Sequence, residues 1–293
     1  MGATTAEAVA ALVVVALVLL ALRFALRRLV ALAARLAHDL PPRIATSHRW
    51  RRLHPLKALL AARCPRLYSF LARRFSTDSF TGLPATLLAA AAIYVLFLLG
   101  GLVEEVVEAD EVVRFDTAVN NSFAPWRETF LAEILFGITQ LGDTATLVAV
   151  VIVSTGFLWA FGRPLFILPL WVCVVGSQAT TWLGKYGFGR TRPEFVTEAT
   201  ALSPSFPSAH ATGALAVYGF IAYAIVRDLP SPRQRFEVVY WTSVLIALIA
   251  FSRLFLSVHF ASDVAAGLLV GAFWLLVGFG LAEASLSRLR GGG

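Results

Sequence analysis

His259 and Asp263 stand four residues apart, with Arg253 just upstream, in a segment (252–263) between two apolar runs at roughly 238–256 and 264–282. Four residues is about one helical turn, so on a helix the two side chains share a face. A carboxylate so placed holds an imidazole in one tautomer and leaves its other nitrogen free as a nucleophile or base. Arg253 adds a permanent planar cation suited to phosphate oxygens. Ionisable groups at membrane depth are costly, so their concentration here points to chemistry. The alternative is a structural salt bridge of Asp263 with His259 or Arg253.

Two further clusters carry related residue types. In 185–193, Lys185 and Arg192 are seven apart, two helical turns, and face one pocket if the helix persists; Pro193 ends any helix there. Lys185 and Lys57 are the only lysines against 23 arginines. Where arginine is the default cation, a lysine suggests a need for a compact point charge, with chance usage the alternative. Arg190 is a looser candidate, for headgroup contact. In 203–213, Ser208 is suited to cap the following helix, which leaves the amides of Ala209 and His210 available to an anion. The alternative is a plain serine cap beside a satisfied His210. The other histidines, His38, His48 and His54, all fall in a basic segment.

The elements that must position these clusters are membrane helices. The 293 residues are 58% hydrophobic with a mean hydropathy of +0.75, which excludes a soluble domain. Apolar runs occupy roughly 8–22, 84–103, 144–161, 164–183, 209–226, 238–256 and 264–282. The last six are near spanning length; the first reaches it if Arg23 snorkels. No β-barrel alternation competes.

The net charge of +7 follows topology. Thirteen of the 25 Lys/Arg lie in residues 23–82; with Arg163, Arg227, Arg233, Arg235, Arg288 and Arg290, nineteen fall on one side if the spans alternate. The positive-inside rule makes that side cytoplasmic. The three clusters and the acidic segment 102–133 are then extracytoplasmic, and the basic excess reads as contact with anionic lipid, not nucleic acid. No Lys or Arg precedes Arg23, so the first run is a poor signal peptide and a better anchor with its N-terminus outside. Cys64 and Cys173 give no disulfide framework.

This divides the chain into an N-terminal membrane anchor helix (1–37), a basic cytoplasmic interfacial segment (38–83), a six-helix core (84–283) and a cytoplasmic tail (284–293). Pro41, Pro42, Pro55 and Pro65 break the interfacial segment into amphipathic helices, with a solvated linker as the alternative. The acidic residues of 104–116 read as a hydrated outer loop in preference to a substrate lid, and 117–140 as helix along the outer surface. Asp143 caps the next span. Gly267 and Gly271 let helices approach closely.

Taken together, Lys-x6-Arg-Pro at 185–193, Pro-Ser-x-His at 207–210 and Ser-Arg-x5-His-x3-Asp at 252–263 resemble the three-part signature of the type-2 phosphatidic acid phosphatase superfamily. That group includes lipid phosphate phosphatases, bacterial phosphatidylglycerophosphate and undecaprenyl-diphosphate phosphatases, and soluble vanadium haloperoxidases. The resemblance covers about 84–283 and implies an all-α, polytopic membrane bundle, with the six-helix phosphatase core and one extra N-terminal helix. It departs from the pattern at Ala209, where the family usually has glycine; the amide there can still donate.

The resemblance implies that His259 attacks phosphorus to form a phosphohistidine, that Asp263 orients it, and that His210 protonates the leaving group. Lys185, Arg192, Ser208, the Ala209 amide and Arg253 would bind the phosphoryl oxygens. Phosphoryl transfer depends chiefly on charge neutralisation and in-line positioning. No metal-ligand spacing occurs in the motifs, so the cations would stand in for Mg²⁺ and neither metal nor cofactor is expected. The function implied is phosphate removal from a lipid phosphate or diphosphate at the outer face of a bacterial-type plasma membrane. The rivals are a phosphotransferase and a non-catalytic lipid-phosphate binder or flippase. A membranous chain argues against haloperoxidase activity.

Overall fold

The computed structural model describes residues 3–45, 59, 61–76, 80–108, 110–193 and 203–291. His48, His54 and the side chain of His38 lie outside them. The regular elements among the described residues are helices: α1 (Thr5–Ala45), α2 (Pro65–Arg74), α3 (Leu83–Glu108), α4 (Asp110–Ser122), α5 (Phe130–Thr139), α6 (Thr144–Ala160), α7 (Ile167–Phe188), α8 (Ala209–Asp228), α9 (Pro232–Phe255) and α10 (Ala261–Gly291). Short 3₁₀ turns occupy Ala124–Trp126, Gln140–Gly142 and Pro164–Phe166. In hydrocarbon a backbone must satisfy its own hydrogen bonds, which is why the apolar runs become helices.

Among the described residues, six helical stretches are long and apolar enough to cross a membrane: Thr5–Arg35, Leu83–Glu108, Pro164–Phe188, Ala209–Asp228, Pro232–Phe255 and Ala261–Leu289. A seventh arises if Phe130–Gly142 and Thr144–Ala160, bent by 48°, form one span. The run at 144–161 is thus the second half of a broken element. The break falls where Asp143 turns extended (φ −69°, ψ 150°) and its carboxylate accepts from the amide of Ala145 at 3.0 Å, the cap expected from sequence.

The chain divides into two units, Met1–Val9 with Leu88–Gly293, and Ala10–Leu87. In the second, α1 exposes Val13, Leu17, Val18 and Phe24, side chains suited to lipid. Expected to end near residue 37, α1 continues to Ala45, so Pro41 and Pro42 fall inside it; the run before them is rich in Ala, Leu and Arg, strong helix formers. α2 starts with Pro65 at its first position and ends with Arg73 and Arg74, charges that suit a helix C-terminus.

In the first unit the core gathers around α8. Nine of its residues are buried, among them Ala211, Gly213, Ala214, Ala216, Val217 and Phe220. Leu147 and Val151 of α6, Leu170 and Cys173 of α7 and Ala282 of α10 pack against its lower part; Ile246 and Ile249 of α9 meet Ala214. Lipid tails are as apolar as these side chains, so close packing must drive the association, and small residues permit it. A Cβ on Gly267 would sit 2.5 Å from the Ser208 carbonyl oxygen, and one on Gly271 2.9 Å from that of Thr212. These glycines let α10 lie on the start of α8.

Two further boundaries differ from expectation. The acidic stretch 104–116 is largely helical, closing α3 and opening α4, and Asp116 is 1% exposed. No Pro or Gly interrupts residues 102–123, and Asp116 has buried partners described below. The segment 284–293, expected as a tail, carries α10 on to Gly291.

Candidate active site

The three motif clusters meet at one end of the helices of the first unit. α7 stops at Phe188 because Gly189 adopts a left-handed conformation (φ 59°, ψ 23°) and donates its amide to Lys185, a glycine C-cap. Lys185 and Arg192 therefore do not share a helical face, as the two-turn spacing suggested. They converge because the chain folds back after the cap. The ammonium of Lys185, in a residue 5% exposed, donates to Ser203 Oγ at 3.2 Å and to the Pro204 carbonyl. Arg192 donates through Nε to the Ser203 carbonyl at 2.9 Å and through Nη1 to the Val258 carbonyl at 2.7 Å.

His259 sits in the turn between α9 and α10, not on a helix. α9 ends at Phe255, and Ser257 takes φ 56°, a left-handed conformation that costs a non-glycine residue about 1–2 kcal/mol. α10 restarts at Ala261, and Asp263 in its first turn reaches back to accept from the Phe260 amide at 3.0 Å, one half of a capping box. The expected contact survives the broken helix: Asp263 Oδ2 lies 3.5 Å from His259 Nδ1, longer than a hydrogen bond, and Nδ1 has no other polar partner. The opposite nitrogen, Nε2, lies 3.2 Å from Arg192 Nη1. His259 is 2% exposed. Burial pushes its imidazole down to about 3, the Asp263 carboxylate opposing and Arg253 reinforcing the shift; it is neutral at physiological pH.

Arg253 is buried and donates to Thr139 Oγ1 at 2.8 Å. Ser208 occupies the cap position of α8, yet its hydroxyl caps nothing: Oγ is buried without a hydrogen bond. Its amide instead donates to the Asp263 carbonyl at 3.0 Å, joining the second cluster to the third. Ala209 and His210 open α8. The ring of His210 packs against Gly142, where a Cβ would lie 3.2 Å from its Cδ2 and 2.6 Å from Ile249. Among the described residues no three His, Cys, Asp or Glu side chains converge as a metal-ligand set.

Arg190 differs most from its expected role. Its Nη1 donates to Asp263 Oδ1 at 2.6 Å and to Ser262 Oγ at 2.7 Å, its Nη2 to Asp116 Oδ2 at 2.8 Å, and its guanidinium lies 4.6 Å from the Phe260 ring centre. It is bound to protein, not displayed to a headgroup. Asp116, Asn120, Thr139 and Ser203 were not singled out from sequence.

The model of the PAP2 superfamily matches residues 166–285, which contain all three clusters. Phosphatidylglycerophosphatase B of Bacillus subtilis (strain 168) is 33% identical over 200 residues, 67% of this chain and 96% of the relative. The crystal structure of a transmembrane PAP2-type phosphatidylglycerolphosphate phosphatase from Bacillus subtilis superposes with a TM-score of 0.62 at 26% identity, over 66% of this chain and 96% of that one. With its helical spans, its convergent motifs and these relatives, the chain belongs to the PAP2 superfamily, as a membrane-spanning phosphatase of that family.

Proposed function

We propose that the protein removes phosphate from a lipid phosphate or diphosphate at the outer membrane face, through a phosphohistidine on His259. The observation that carries this reading is the setting of the buried imidazole: Nδ1 faces Asp263 at 3.5 Å and Nε2 lies 3.2 Å from the Arg192 guanidinium. A neutral imidazole so oriented points its Nε2 lone pair at any phosphoryl group that Arg192 binds.

Nε2 attacks phosphorus in line, the N–P bond forms, and the bond from phosphorus to the lipid oxygen (or to the leaving phosphate of a diphosphate) breaks. His210 gives its proton to that oxygen; the substrate's negative charge is what favours a proton on an imidazole among so many cations. The same group then takes a proton from water, which attacks the phosphohistidine, breaks the N–P bond and releases inorganic phosphate. Lys185, Arg192, Arg253, the Ser208 hydroxyl and the Ala209 amide bind the phosphoryl oxygens. Lys185 and Arg192 now donate to Ser203 and Pro204, so the substrate competes with that segment for the same donors. The cation distribution supports the outer face, and the spans support a lipid substrate delivered from the bilayer.

The test is phosphate release in detergent with EDTA from phosphatidylglycerophosphate, phosphatidic acid and undecaprenyl diphosphate. The name of the Bacillus relative puts phosphatidylglycerophosphate first. Turnover with water as acceptor and an acid-labile phosphoenzyme are expected. Normal turnover by His259→Ala would overturn the mechanism; phosphate found on a second lipid would make the protein a transferase.

A further inference from the structure

Asp263 has both oxygens committed. Oδ2 takes the Phe260 amide and faces His259, while Oδ1 takes Arg190. Arg190 is itself held from behind by Asp116, whose side chain is wholly buried. Asp116 accepts from the Ser262 amide at 3.0 Å and from the Ser262 hydroxyl at 2.5 Å, so it grips both Arg190 and the residue before Asp263. One helical turn on, Asn120 Oδ1 accepts from Ser257 Oγ at 2.7 Å, and Arg127 donates to the same oxygen at 2.6 Å. Asp116 and Asn120 thus lie on one face of α4 and hold the His259 turn at its two ends. α4 is outside the residues that match the family model.

We infer that Asp116 and Arg190 are positioning residues for phosphoryl transfer: through the chain Asp116, Arg190, Asp263 they fix the carboxylate that orients His259, with α4 as the brace of the His259 turn. The inference rests on His259 and Asp263 acting as proposed above. Three of the five N–H donors of Arg190 go to protein oxygens, so its loss should slow the chemical step without weakening substrate binding. Charged groups face the pair from each neighbouring element: Asp116 on α4, Lys185 at the end of α7, Arg190 and Arg192 after it, His210 on α8 and Arg253 on α9. Of these, Arg190 is the one that bonds the carboxylate of Asp263. Without it, the less neutralised carboxylate holds a proton on His259 more tightly.

The experiment compares Arg190→Gln, Arg190→Lys, Asp116→Asn and His259→Ala, full length in detergent, with phosphatidylglycerophosphate, or phosphatidic acid where that is hydrolysed faster. We expect kcat to fall about 10- to 100-fold in Arg190→Gln and Asp116→Asn, the range typical when the group behind a site ligand is lost, with KM within about threefold. The acid limb of kcat/KM should move to higher pH in Arg190→Gln, and Arg190→Lys should recover part of the rate. Arg190→Gln combined with Asp116→Asn should lose less than the product of the two single losses, since both cut one chain and Asp116 adds only its own grip on Ser262. A defect wholly in KM would make Arg190 a headgroup ligand and overturn the inference. So would an unmoved acid limb with less folded protein on gel filtration, which marks a merely structural role. If Asp116→Asn does not fold, Ser262→Ala removes the hydroxyl that bonds both Asp116 and Arg190 and keeps the Ser262 amide; an unchanged kcat there counts against α4 as the brace. Normal turnover by Arg190→Gln beside an inactive His259→Ala defeats this inference alone, whereas an active His259→Ala defeats the phosphohistidine reading instead.

Discussion

At the scale of single residues, the site is a matter of which atoms are already spoken for. Asp263 has no free oxygen, and its orientation toward His259 is fixed by the Phe260 amide and Arg190. Asp263→Asn keeps the shape but offers His259 an amide that can hold the wrong tautomer. In another hydrolase, the corresponding loss of an imidazole-orienting aspartate costs about 10⁴ in turnover, and a loss of about 10²- to 10⁴-fold is expected here, read as kcat on protein that still elutes as a folded species. Because burial holds the His259 imidazole down to about 3, the nucleophile proposed above stays unprotonated as pH falls through the ordinary histidine range. The acid limb of kcat/KM should therefore lie well below pH 6; a limb at 6.5 would mean that His259 titrates like an exposed histidine. The departure at Ala209 concerns only a methyl group at the first position of α8. Ala209→Gly is expected to keep its amide and change kcat by less than about tenfold, while weakening the helix start by about 0.5–1 kcal/mol, read as a lower midpoint in thermal unfolding.

At the scale of elements, two glycines set how closely α8 and α10 meet, and that distance is also the distance between the second and third motif clusters. The Ser208 amide reaches the Asp263 carbonyl at 3.0 Å only because Gly267 has no Cβ to push on Ser208. Gly267→Ala would place a methyl 2.5 Å from a backbone oxygen that cannot swing away. Overpacking of this kind costs about 1–3 kcal/mol, and the displaced helix start should lower kcat as well. Gly156→Ala on α6 is the control: a Cβ there meets nothing within 4 Å, so thermal stability and turnover should hold. Unchanged activity in Gly267→Ala would show that the two helices can separate without disturbing the site. The spacing of Gly267 and Gly271 announced close packing, but not its partner. The end of α7 was legible only in part: Pro193 promised a stop, yet Gly189 supplied it four residues earlier by taking a left-handed conformation.

For the whole molecule, the membrane sidedness proposed above rests on the distribution of charge. If residues 38–83 are cytoplasmic, the exposed thiol of Cys64 should react with a membrane-impermeant maleimide only after cells are permeabilised, while the buried Cys173 stays silent throughout. Labelling of Cys64 in intact cells would invert the topology and put the site on the inner face. By itself the sequence determined that the chain is helical and membrane-spanning, because runs of apolar residues with no water to bond must close their hydrogen bonds within each segment. It also marked six ionisable candidates, Lys185, Arg192, His210, Arg253, His259 and Asp263, since such side chains among these runs are rare and their spacings are local facts, while Ser208 and the Ala209 amide stood out by their place at a helix start. Only the tertiary structure decided what holds them. Arg190 and Asp116 are 74 positions apart, and nothing local says that a guanidinium within the 185–193 cluster will be shared between the catalytic carboxylate proposed here and a buried aspartate on α4. Such pairing depends on which helix faces pack, and packing in lipid is set by shape contacts that periodicity does not encode.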